Sequence, residues 1–132
     1  MKTLNLKSFL AILCIAAISF AACSKKKDDV APPAPMEGTW IGKWGFGNDA
    51  PTEYFSFIIS GDGTMIVKEG SEETPNLGKG TWTLNENTFT AVYAYDIMPN
   101  ATNNIAAKLN DTQTEISGSW GDGEGTFIMT KQ

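Results

Sequence analysis

From Gly38 to Lys131 the apolar side chains fall on every second residue, a period that β-strands satisfy and helices do not. Trp40, Gly42, Trp44 and Phe46 share one face of a first strand, with Lys43 on the other. Phe55, Phe57 and Ile59 alternate with Tyr54, Ser56 and Ile58 in a second. Residues 64–69 give a third strand, and Thr81-Trp82-Thr83-Leu84 a fourth. Phe89, Ala91, Tyr93 and Tyr95 share a face of a fifth, and Ile105, Ala107 and Leu109 of a sixth. Ile116, Gly118 and Trp120 mark a seventh, and residues 126–131 an eighth. No stretch beyond Met36 sustains the three-to-four spacing of an amphipathic helix.

Turn residues separate these runs. Ser60-Gly61-Asp62-Gly63, Asn85-Glu86-Asn87, Asn110-Asp111-Thr112 and Gly121-Asp122-Gly123-Glu124-Gly125 all tolerate the positive φ of tight hairpins. Two connections read as longer, from Gly70 to Leu77 and from Asp96 to Asn103. About eight short strands in sequence favour an all-β, antiparallel up-and-down barrel, whose closure leaves no edge strand exposed. A different small barrel or a sandwich remains compatible with the same pattern. A membrane-spanning barrel fits poorly. Its strands need about 9–11 residues and a lipid-facing band, whereas the outer faces here carry Lys43, Thr81, Thr83, Lys108 and Glu115.

Composition removes several functions. From Met36 onward five lysines face thirteen carboxylates, a net charge of −8, and the chain has no arginine. Such a surface repels phosphates, which excludes nucleic acid as a partner. Histidine is absent and the two cysteines are Cys14 and Cys23, so the domain has neither thiol nor disulfide. Ser–His and Cys–His catalysis are impossible, and zinc loses its main ligands. Asp62, Asp122 and Glu124 are the loop acids to weigh as catalytic carboxylates or calcium ligands, but each lies among turn glycines, where Asp usually serves its own turn. The domain is expected to be no enzyme, and no cofactor or metal is implied.

The front of the chain has its own logic. Lys2 and Lys7 precede an apolar run from Phe9 to Ala22, of signal-peptide length and short for a span of about 20 residues. The run ends in Phe20-Ala21-Ala22-Cys23. This segment resembles a bacterial lipobox, with Phe20 where Leu is usual, and the resemblance implies cleavage before Cys23 and lipidation of its sulfur. Ser24 to Pro35 is charged and proline-rich, as an extended tether would be. Lys27-Asp28-Asp29 resembles the export signal of surface lipoproteins in the Bacteroidetes, displaced from the cysteine by three residues. The expected organisation is a signal peptide at 1–22, lipidated cysteine and tether at 23–36, and one barrel at 37–132, anchored in the outer membrane by lipid, with both the cell surface and the periplasm open to the barrel.

Gly38-Thr39-Trp40 resembles the Gly-x-Trp opening of the lipocalin group. The resemblance implies a small lipocalin-like barrel with Trp40 as a plug at one end and Gly38 allowing close packing there. The group usually lays an arginine over that tryptophan; Lys131 is the cation nearest the corresponding place, without a guanidinium's stacking plane.

Trp44, Trp82, Tyr93, Tyr95 and Trp120 fall on the apolar faces of different strands. They form either the filling of a solid barrel, which eight strands are just wide enough to contain, or a cup gripping a small apolar or amphipathic ligand. In the first case the two long loops would instead contact an envelope protein. Mass spectrometry of the protein recovered from its native envelope tests the front of the chain. The expected N-terminus is an acylated Cys23; an intact Met1 or an unmodified Cys23 would remove the anchor.

Overall fold

The computed structural model describes residues 35–132. The expected signal peptide, Cys23 and the expected tether up to residue 34 lie outside the described residues. Eight antiparallel strands follow one another around a closed barrel: β1 (Gly38–Phe46), β2 (Glu53–Ile59), β3 (Thr64–Gly70), β4 (Asn76–Asn85), β5 (Thr88–Tyr95), β6 (Thr102–Leu109), β7 (Glu115–Trp120) and β8 (Gly125–Lys131). A short 3-10 turn, Gly121–Gly123, joins the last two. Each strand pairs with its sequence neighbour, and β1 pairs with β8 to close the sheet.

Turn chemistry sets the hairpins. Asp62 accepts hydrogen bonds from the Thr64 amide at 2.9 Å and its hydroxyl at 2.6 Å, which hold its carboxyl below the usual range. Asn110 Oδ1 accepts from the amides of Thr114 and Glu115 at 2.9 and 3.0 Å. Glu86, Gln113 and Asp122 take positive φ at three of the turns, where the short connections demand it.

Both long connections are shorter than the sequence suggests. Asn76 and Leu77 already pair with Glu69 and Lys68, so the β3–β4 loop is 71–75. Ala94 pairs with Thr102 and Tyr93 with Asn103, which trims the β5–β6 loop to 96–101. Asn-Leu-Gly-Lys-Gly has weak strand propensity; here hydrogen bonds from neighbours on both sides recruit it.

Phe57 is at the centre of the core. It is fully buried, with ring centroids of Phe55, Phe127 and Phe89 at 4.8, 5.8 and 6.3 Å. Val67, Ile116 and Met129 fill the space around this ring mesh. Room for it comes from inward-facing glycines. A Cβ on Gly42 would meet the Ile128 carbonyl, one on Gly80 the Val92 carbonyl, and one on Gly118 the Ala106 carbonyl. At each place the neighbouring strand's backbone occupies a side chain's volume, so the sheet can curl tightly.

One pole is sealed. Trp40 is fully buried and its Nε1–H donates to the Met36 carbonyl at 2.8 Å; Met36 is itself fully buried. The packed domain thus includes Pro35 and Met36, residues that the sequence assigns to the tether. Lys131 donates to the Pro35 carbonyl at 2.8 Å and sits 5.7 Å from the centre of the Trp40 ring. A lysine therefore occupies the place over the tryptophan, working through a backbone acceptor as much as through the ring face. Gly38, at φ +127°, turns the chain there, with Lys131 Cε 3.3 Å from where its Cβ would be.

Chemical denaturation distinguishes these contributions. Gly42→Ala, Gly80→Ala and Gly118→Ala are each expected to lower unfolding free energy by about 1–3 kcal/mol through overpacking. Trp40→Ala is expected to cost about 3–5 kcal/mol. Gly47→Asn, at φ +54° with nothing within 4 Å, should leave the midpoint almost unmoved.

Candidate functional site

Strand parity gathers a group of side chains at the pole opposite Trp40. Counting inward positions along each strand past the core gives Trp44 on β1, Glu53 on β2, Glu69 on β3, Tyr93 and Tyr95 on β5, Asn103 on β6 and Trp120 on β7. Four of the five rings expected as binding residues therefore meet at one end. Trp82 does not join them. It pairs with Ala91 farther down the barrel, stacks on Phe89 with centroids 6.2 Å apart, and donates to the Ser60 carbonyl at 3.0 Å.

The four rings form two groups. Trp44 and Trp120 pack edge to face at 5.1 Å, and Phe46 closes a triangle with them at 4.8 and 5.3 Å. Trp120 Nε1 donates to the Gly45 carbonyl at 3.3 Å, whereas Trp44 Nε1 is buried with no hydrogen-bond partner among the described residues. Phe46 shares the inward parity of Trp44, yet as the last residue of β1, paired with Gly125 at the barrel's edge, it is 63% exposed. The second group is Tyr93 and Tyr95, perpendicular at 5.3 Å with their hydroxyls 3.4 Å apart.

Burial sets the chemistry of the tyrosines. It pushes the Tyr93 hydroxyl up to about 12, partly offset by the bond to Tyr95. Burial also raises Tyr95 well above the ordinary phenol value, helped by the neighbouring Glu69 carboxylate, which favours the neutral hydroxyl. Both groups are neutral donors and acceptors at any physiological pH. They can orient a ligand or a partner; they are poor proton abstractors.

The rim above these rings carries exposed apolar side chains. Leu77 at the start of β4, and Ile97 and Met98 in the β5–β6 loop, are 42%, 70% and 52% exposed. The Asp96 amide donates to the Leu77 carbonyl at 2.8 Å, which fixes these two segments side by side. Across the mouth, Gly47 N–H donates to the Glu124 carbonyl at 2.8 Å, and Asn104 donates to both carboxylate oxygens of Asp122 at 3.1 and 3.2 Å. The rim is held in place before anything binds.

Concavities among the described residues lie on the outer wall. One of about 420 Å³ runs over β6, β7 and β8 beside Ala106, Ser117 and Ser119, and one of about 460 Å³ over β4 and β5 beside Thr83 and Thr90. They have the volume of a ligand site, and apart from Lys108 and Glu86 they are lined by small side chains. Of the five predicted rings none borders these two, and Trp82 borders a third hollow of about 110 Å³ beside Thr81 and Val92.

Sequence reading passed over Glu69, Glu53 and Asn103 as site residues. The signal was available in the alternation itself: Glu69 follows Met65 and Val67 on the same parity, and Asn103 precedes Ile105 and Ala107.

The tyrosine pair makes stability depend on alkaline pH. In the unfolded chain these hydroxyls ionise near 10; in the folded barrel Tyr93 holds its proton to about 12. The unfolded state alone is therefore favoured by ionisation in that window. Melting temperature is expected to be level up to about pH 9.5 and to fall toward about pH 12. Tyr93→Phe/Tyr95→Phe should flatten that fall, and an unchanged slope would contradict the burial of the pair.

Compared with known proteins, the chain matches no family model, no curated protein and no solved structure.

Proposed function

We propose that this chain is a non-enzymatic, lipid-anchored protein of the bacterial cell envelope, whose barrel acts as a protein-interaction module through the rim at the Trp44 pole. The carrying observation is the contrast between a core packed with phenylalanine rings and a pinned rim that exposes Phe46, Leu77, Ile97 and Met98. Exposed large apolar side chains collected at one place mark contact surfaces more often than scattered ones do. The anchor is read from Cys23 and the small pair before it, and the lipocalin-like character from Gly38-Thr39-Trp40.

Trp44 Nε1 favours a second reading. A buried indole N–H without a partner costs free energy unless something accepts from it. A small amphipathic ligand seated shallowly among Trp44, Trp120 and the tyrosine pair would supply that acceptor.

Site-specific photo-crosslinking in intact cells tests the first reading against the second. A photoreactive residue at position 97 is expected to give a discrete protein adduct, and one at Asp111, at the Trp40 pole, to give none. Adducts at neither position, together with tryptophan quenching by a member of a fatty-acid, sterol and glycan panel, would replace the interaction module with the ligand cup.

A further inference from the structure

The carboxylates of the barrel are weighted toward one pole, and the five acids outside it, Glu37, Asp62, Glu86, Asp111 and Glu115, share the opposite pole with Lys108 and Lys131. The connections at the Trp44 pole, residues 46–53, 69–76, 96–102 and 120–125, carry eight carboxylates and neither lysine nor arginine. That is eight of the thirteen acids beyond Met36, concentrated where the exposed apolar side chains also stand. Lys43, Lys68 and Lys79 lie on the outer-facing parity of the wall, and Lys131 seals the opposite pole. Among the described residues one salt bridge reaches a rim acid, Lys79 to Asp96 at 3.4 Å, between side chains that are largely in water. A pair of that kind screens little.

We infer that the Trp44-pole rim is a docking surface for a basic, apolar-studded segment of another protein. This rests on the interaction reading above and gives its partner a chemistry. Carboxylates on four loops of one pole carry charge of one sign, and each acts over a Debye length of about 8 Å at physiological salt, so the mouth as a whole is electronegative. Such a field draws in lysine- and arginine-rich surfaces and repels anionic lipid and nucleic acid. Leu77, Ile97, Met98 and Phe46 then supply the apolar contact that charge alone does not. The glutamates of the β3–β4 loop, Glu72 and Glu73, are exposed and outside every described hydrogen bond, which leaves them available to a cationic partner. The position of the rim agrees with this occupant. The chain enters the barrel at Pro35, at the other pole, so the rim does not include the residues by which the chain enters the barrel.

The test uses the full chain held in zwitterionic nanodiscs and three synthetic peptides of about 18 residues, long enough for an amphipathic helix. One places lysine on one helical face and leucine and tryptophan on the other, one replaces lysine with glutamate, and one keeps lysine but replaces the apolar residues with serine. The lysine–leucine–tryptophan peptide is expected to bind, and to lose about tenfold in affinity between about 50 and 300 mM salt. Glu72→Lys/Glu73→Lys should weaken it by about tenfold, chiefly through the association rate. Ile97→Ser/Met98→Ser should weaken it comparably. Glu37→Lys/Asp111→Lys, at the opposite pole, should stay within about twofold of the parent, which controls for total charge. Unchanged circular dichroism spectra show that each variant folds. Equal binding of the lysine–serine peptide, or an equal effect of the opposite-pole variant, would overturn the docking surface by reducing it to general charge attraction. Binding of the glutamate peptide that is lost in Ile97→Ser/Met98→Ser would overturn the basic partner and leave the interaction module standing. Failure of all three peptides to bind overturns the inference; crosslinking at position 97 separately decides the interaction reading.

Discussion

Pairing of β1 with β8 is the contact on which the rest of the barrel depends. All other strand pairs are hairpins formed between sequence neighbours, whereas this one joins Trp40 to Lys131 and Phe46 to Gly125 across the whole domain. Its loop-closure cost is the largest in the fold, though entropy grows only slowly with length. What it secures is the removal of both edges. It also brings Lys131 over Trp40 and presents the Pro35 carbonyl to the lysine, so the seal of one pole and the closure of the sheet form together. With no disulfide in the domain, packing behind this seam holds the structure.

The filling of the barrel decides what the protein can do. Eight strands enclose a space that side chains can just fill, and here Phe55, Phe57, Phe89 and Phe127 fill it. Function is thereby displaced to the ends and the outer wall. The two poles then differ in kind. The Trp40 pole spends its polar groups on sealing itself. The Trp44 pole carries a buried indole nitrogen without a partner, two tyrosines kept neutral by burial, and loops whose charges and apolar side chains face outward.

Much of the architecture was legible because strand alternation leaves little freedom: once Phe57 faces inward, so must Phe55 and Ile59. Closure was legible from the sequential hairpin signals. Strand ends were less so, since Asn76-Leu77-Gly78 has no intrinsic preference and takes its conformation from neighbours that the sequence does not place beside it. The gathering of the rings at one pole was half legible. Trp44, Trp82, Tyr93, Tyr95 and Trp120 all carry the inward signature, but height along the barrel is a matter of register between strands, which separates Trp82 from the others. Phe46 shows the same limit, being inward by parity and outside by position. Glu69 was hidden by its type, because a carboxylate on an inward position reads as a strand end until the tyrosines beside it are known.

The first described residue and the last lie at the same pole. Gln132 donates its amide to the Thr39 carbonyl, and Lys131 reaches Pro35. Attachment at either terminus would hold the domain by one and the same end. Both ends of the folded chain are thus gathered by the seam at the sealed pole, and the acidic mouth is bounded by hairpin loops alone.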